Sequence, residues 1–123
     1  MEKPSNQTTG QRVLVCGGRH YDDIERFTSV MRELHRWRPI TEIVTGGANG
    51  ADTMAARWAS DNGAVLHVIR ADWQRHGPSA GPIRNQEMLD RFPPDLVVAF
   101  PGGRGTADMT RKAILAGVQV HNG

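Results

Sequence analysis

Three short stretches of this chain set glycine pairs where chemistry can be done: Cys16-Gly17-Gly18-Arg19, Thr45-Gly46-Gly47-Ala48-Asn49-Gly50 and Pro101-Gly102-Gly103-Arg104-Gly105-Thr106. Each follows an apolar run. Glycine lets backbone approach a ligand closely, and the free N–H groups of a helix start can hold a phosphate with help from the helix dipole. One such cluster is an ordinary strand-to-helix turn. Three at one edge predict a nucleotide-like anion site, with Gly17, Gly18, Arg19, Gly46, Gly47, Asn49, Gly50, Asp52, Gly102, Gly103, Arg104, Gly105 and Thr106 as the candidate ligand and phosphate residues.

The charged and aromatic neighbours of these loops divide by what each could do. Arg19 can reach a phosphate beside its glycines. Asp22 can take a ribose hydroxyl, although capping the next helix is the simpler role. Asn49 shapes its turn, while Asp52, just inside a helix, disfavours a phosphate beside it and is suited to accept a hydroxyl. Arg84 is expected in the first turn of a helix, where a cation opposes the dipole, so phosphate binding is the compensating role assigned to it. Arg104 is a phosphate contact or a solvated loop tip. Trp73, in a polar loop, is either a base-stacking platform or an anchor.

Other chemistries find less support. The chain has no GxxxxGK[ST] and no GxGxxG after its first strand, which argues against a P-loop NTPase and the usual dinucleotide fingerprint. Its five histidines lack metal-ligand spacing, so no metal or other cofactor is expected. His20 and His76 are weak acid or base candidates. Cys16, the single cysteine, lies in an apolar run, has no evident catalytic partner and reads as a packed side chain.

The elements that must position these residues follow from periodicity. "RVLVCGG", "TEIVTGG", "AVLHVIR" and "PDLVVAF" are short apolar runs of the kind buried in a parallel sheet, and "VQV" is a short final strand. Between the first two, Ile24, Phe27, Val30, Met31, Leu34 and Trp37 recur at helical spacing until Pro39. "ADTMAARWASDN" is a helix stopped by Gly63. A polar loop "ADWQRHGPSAG" leads to a helix over "PIRNQEMLDRF", and "GTADMTRKAILAG" is the last helix. The alternation predicts an α/β, Rossmann-like three-layer domain over 11–123 with about five mostly parallel strands, after a flexible lead-in over 1–10.

At 123 residues, with 38% hydrophobic and 23% charged residues, the chain has the size and balance of one globular domain. Lone Cys16, a polar amino terminus and the lack of a long apolar run point to a cytoplasmic protein with no membrane partner. The formal charge is only +2, and the arginines are spread out rather than striped with aromatics, which argues against nucleic acid. The apolar helix faces leave room for a homodimer or higher homo-oligomer.

The motif series "VLVCGGRHYDD", "VTGGANGADTMAARWA", "ADWQRHGPSAGPIRNQEML" and "PGGRGT" resembles the YspA, cpYpsA-related branch of the SLOG superfamily from about Arg12 to Val120. That resemblance implies a Rossmann-like fold and a nucleotide or nucleotide-derived ligand. The superfamily includes Lonely Guy type phosphoribohydrolases, which carry PGGxGTxxE and an upstream arginine; here Pro101, Gly102, Gly103, Gly105 and Thr106 match, and Arg84 resembles the arginine. The glutamate position holds Met109, with Asp108 one residue earlier and about 100° around the helix. Two functions follow: a nucleotide-binding SLOG protein acting as a sensor, carrier or sequestering protein, or an N-glycosidase in which Arg84 positions phosphate and Asp108 supplies the carboxylate. Single-stranded DNA binding, by analogy with DprA, is a weaker third.

Overall fold

The structure, a computed structural model, describes residues 10–123. Apart from Gly10, the expected lead-in lies outside the described residues. Five parallel strands form one sheet: β1 (Gln11–Cys16), β2 (Ile40–Thr45), β3 (Val65–Val68), β4 (Leu96–Ala99) and β5 (Val120–Asn122), in the order β3-β2-β1-β4-β5. From β1 the chain steps outward through β2 to β3, then returns to place β4 on the opposite side of β1. The connections leaving β1 and β4 therefore diverge to opposite faces, which opens a crevice at their carboxyl ends.

Alternation within β1 shows how the layers are made. Val13 and Val15 pack with Phe27, Val30 and Met31 of α1 (Ile24–Trp37) and with Ala55, Trp58 and Ala59 of α2 (Ala51–Asn62). Leu14 and Cys16 face the other way, toward Met88 and Leu89 of α4 (Ala80–Arg91) and Met109 and Ala113 of α5 (Arg104–Leu115). The strands of the sheet centre are covered on both sides, so their near-continuous apolar sequences need no polar alternation. The three-layer α/β/α architecture is thus as the sequence predicts.

The ends of the elements have local causes. Asp23, rather than Asp22, caps α1 by accepting from the Arg26 amide, and Gly63 closes α2 in the left-handed conformation. The loop expected over "ADWQRHGPSAG" is instead mostly helical. Asp72 caps α3 (Trp73–His76), a 3₁₀ turn (Gly77–Ser79) follows, and α4 starts at Ala80. Arg84 is consequently the fifth residue of α4 and lies beyond the first turn, so opposition to the dipole is not what makes its position unusual. The last strand also pairs later than "VQV". Gly117 takes φ +78°, the amides of Gly117 and Val118 return to Ile114 and Ala113, and the chain must clear this helix ending before Val120 pairs with Val97.

Candidate functional site

The three glycine loops meet at the crevice and are stitched to one another. The Gly18 amide donates to the Pro101 carbonyl at 2.8 Å, and the Gly18 carbonyl accepts from Ala51 at 3.3 Å and Tyr21 at 3.1 Å. Gly50 (φ +75°) lies against Gly18 and Arg19 so closely that a Cβ would overlap the Gly18 carbonyl. The amino terminus of α2 is therefore closed by the first loop. That of α5 differs: Gly103 is its cap residue, no side chain caps it, and its first intrahelical bond is Ala107 N–H to Gly103 carbonyl at 3.0 Å. Arg104, Gly105 and Thr106 thus form an uncapped first turn facing the crevice.

The resulting cleft has a volume of about 750 Å³. Of the residues singled out in the sequence, Cys16, Gly17, Gly18, Arg19, His20, Asp22, Gly46, Asp52, Arg84, Pro101, Gly102, Gly103, Arg104, Gly105 and Thr106 line it. Gly47, Asn49, Gly50, Trp73, His76 and Asp108 do not. Gly47 lies by Arg70, whose guanidinium donates to its carbonyl at 2.8 Å, and Asn49 is exposed. Trp73 is half exposed, with its ring edge against Gly81 at the start of α4.

Of the three arginines that line the cleft, Arg84 is the one set deepest, Arg19 and Arg104 being exposed. Its Nη1 donates to the Gly46 carbonyl at 2.7 Å and its Nε to Asn85 Oδ1 at 3.1 Å, and a Cβ at 46 would push the guanidinium out of this place. No carboxylate oxygen among the described residues comes within the 4.0 Å of an ion pair. Burial holds its pKa below the ordinary arginine value, opposed by the more distant charge of Asp52. Asp52 is itself 7% exposed and accepts from the Ala48 amide at 3.1 Å. Burial pushes its carboxyl upward, against the hydrogen bond from Ala48, the charge of Arg84 and the Gly46 amide. Its role in the loop is to fold back and hold "GGA" in shape, while its side chain still lines the cleft.

The sequence reading overlooked Asn85 and Tyr21. Asn85, 4% exposed, makes three of the four hydrogen bonds its amide can form: Oδ1 accepts from Arg84, and Nδ2 donates to the Gly105 carbonyl at 3.1 Å and to Asp108 Oδ2 at 3.0 Å. An asparagine inside a helix, where its propensity is poor, was the available signal. Tyr21 lines the cleft with its ring tilted against that of Phe100, centroids 5.2 Å apart, and its hydroxyl is buried with no partner among the described residues. Its only sequence mark was its place three residues after Gly18.

Asp108 and Met109 sit differently from each other. Asp108 Oδ1 accepts from Arg111 at 2.7 Å, and Oδ2 from Lys112 at 2.8 Å and Asn85. Burial would raise its pKa, but hydrogen bonds from Lys112 and Asn85 and the charges of Lys112 and Arg111 together hold it below the usual aspartate value. Met109, at the position of the hydrolase glutamate, is completely buried in the apolar layer with Leu14, Met88 and Val97.

Comparison with known proteins agrees with this architecture. The chain is 40% identical over 120 residues to the "Gene 61 protein" of Mycobacterium phage D29, covering 91% of this chain and 95% of that one. A profile of the YspA, cpYpsA-related SLOG family matches residues 11–76, the half that runs from β1 through the first two glycine loops to α3. With that match and a parallel sheet whose crevice gathers all three glycine loops, the chain belongs to the YspA, cpYpsA-related SLOG family.

Proposed function

We propose that this protein binds a nucleotide or a nucleotide derivative, an ADP-ribose-like molecule included, and acts as a sensor, carrier or sequestering protein. The observation that carries this reading is Arg84: a partly buried guanidinium with two neutral acceptors, no carboxylate in ion-pair reach among the described residues, and a place in the same cleft as the uncapped first turn of α5. A partly desolvated cation with no carboxylate bonded to it favours an anion beside it, and the dipole of an open helix start adds to the same electrostatic demand. A phosphate satisfies both. Arg19 and Arg104 line the cleft with further positive charge, and Asp22 and Asp52 supply acceptors for sugar hydroxyls.

Membership in a SLOG family supports a nucleotide-related ligand in general, and the cleft volume suits one. The N-glycosidase reading receives less support from the geometry, since Asp108 is committed to Lys112, Arg111 and Asn85 and lies outside the cleft lining. Titration calorimetry with a panel of nucleoside mono- and diphosphates and ADP-ribose derivatives tests the proposal. Heat that saturates with at least one of them is expected; a flat isotherm across the panel would remove it. Chromatography of nucleoside monophosphates incubated with the protein is expected to show no free base, and released base would bring the enzyme reading forward.

A further inference from the structure

Two groups on which the proposed anion site rests, Arg84 and the first turn of α5, come from different helices, and one side chain touches both. Asn85 accepts from Arg84 Nε through Oδ1, and through Nδ2 donates to the Gly105 carbonyl and to Asp108. The direction of this amide is fixed by its neighbours. Turned over, its NH₂ would meet the Arg84 N–H and its oxygen would meet the Gly105 carbonyl and the Asp108 carboxylate, so all three contacts would oppose like with like. Asp108 is the strongest of these constraints, because its carboxylate carries a full negative charge whereas the Gly105 carbonyl is neutral. Lys112 and Arg111 keep it ionised and in place.

We propose that Asn85 is a positioning residue that aims Arg84 into the cleft, and that Asp108 acts through Asn85 by dictating which way its amide points. Asp108 is then neither a nucleophile nor a base but the far end of a relay, Asp108 to Asn85 to Arg84. The relay spans α5 and α4 and also fixes Gly105 of the anion loop. Lys112 closes the circuit by donating to the Pro82 carbonyl of α4 at 2.8 Å as well as to Asp108. Arg84 keeps N–H groups beyond those given to Asn85 and Gly46, and it is these that the relay presents to an anion.

The functional value of this relay rests on the nucleotide-binding proposal, but the relay itself can be read without ligand. In ¹H–¹⁵N spectra of the whole protein, the Arg84 Nε–H signal, assigned by its loss in Arg84→Lys, reports the bond to Asn85. Its exchange with solvent is expected to accelerate about tenfold in Asn85→Ala and also in Asp108→Ala, although Asp108 does not touch Arg84. AMP affinity is expected to fall about tenfold in both. Asp108→Asn, which keeps the shape but can donate as well as accept and so no longer dictates the direction, is expected to exchange faster than wild type and more slowly than Asp108→Ala, and it preserves the test if an alanine variant fails to fold. Unchanged Arg84 exchange in Asp108→Ala, or equal exchange in Asp108→Ala and Asp108→Asn, would overturn the relay. Intact relay signals in a protein that binds no nucleotide would overturn the function proposal alone.

Discussion

At the scale of single residues, two buried side chains show how burial decides chemistry. The Cys16 thiol is pushed up to about 12, first by burial and then by the negative charge of Asp52. It is a packing group at the end of β1, and iodoacetamide at pH 8 is expected to leave it unlabelled in the folded protein and to label it once urea is added. Rapid labelling of the native protein would mean that the thiol is far more accessible than its surroundings imply. Met109 carries the second case. Restoring the motif glutamate as Met109→Glu places a carboxylate in a completely buried apolar layer, so a loss of about 3 kcal/mol is expected in urea denaturation, with no gain of base release. An unaltered denaturation midpoint together with hydrolysis would show that this position can reach the cleft.

At the scale of elements, α4 and α5 are joined by polar groups at one end and by Met88, Leu89, Met109 and Ala113 toward the sheet. The Asp108 contribution to that joint depends on pH in a definite direction. Its folded pKa lies below the ordinary 3.8, so the ionised form stabilises the native state at neutral pH, and that stability is lost as pH falls through the depressed folded value. With its side chain 13% exposed, the group is expected to contribute about 1–2 kcal/mol. The stability gap between the wild type and Asp108→Ala should therefore be constant around neutrality and close only at strongly acidic pH; a gap unaffected by acid would assign the tie to packing instead. The elements themselves were largely legible in the sequence. The apolar runs, the helical spacing from Ile24 to Trp37 and the glycine stops each depend on local pattern, which a single chain displays. α3 was missed because Gly77 and Pro78 read as loop, although Asp72 three residues before Arg75 was a cap signal.

At the scale of the whole molecule, the site was half legible. Its loops were visible as glycine clusters, but which loop stays open could not be read, because closure of α2 depends on a carbonyl from a different loop, Gly18 to Ala51. Likewise Asp108 and Asn85 are far apart in sequence, and only packing of α4 on α5 brings them to 3.0 Å. Ligand that binds only the native state raises stability by mass action. At a hundred-fold excess over Kd the gain is about 2.7 kcal/mol, so a saturating nucleotide is expected to raise the melting temperature by several degrees. No shift with a nucleotide that gives a clear isotherm would mean that the unfolded chain binds it as well.

The stitch at Gly18 has a consequence in time as well as in space. Its carbonyl meets α2 and its amide meets Pro101, so one wall of the cleft is complete only after the loop following β4 has arrived. A chain still being synthesised, with β1, β2 and β3 already made, has two glycine loops but neither the α5 amides nor the tether that sets them. Under the proposed nucleotide-binding function, capture of a ligand is thus expected only of the finished protein, and a truncated or incompletely folded copy is expected to offer no competing site.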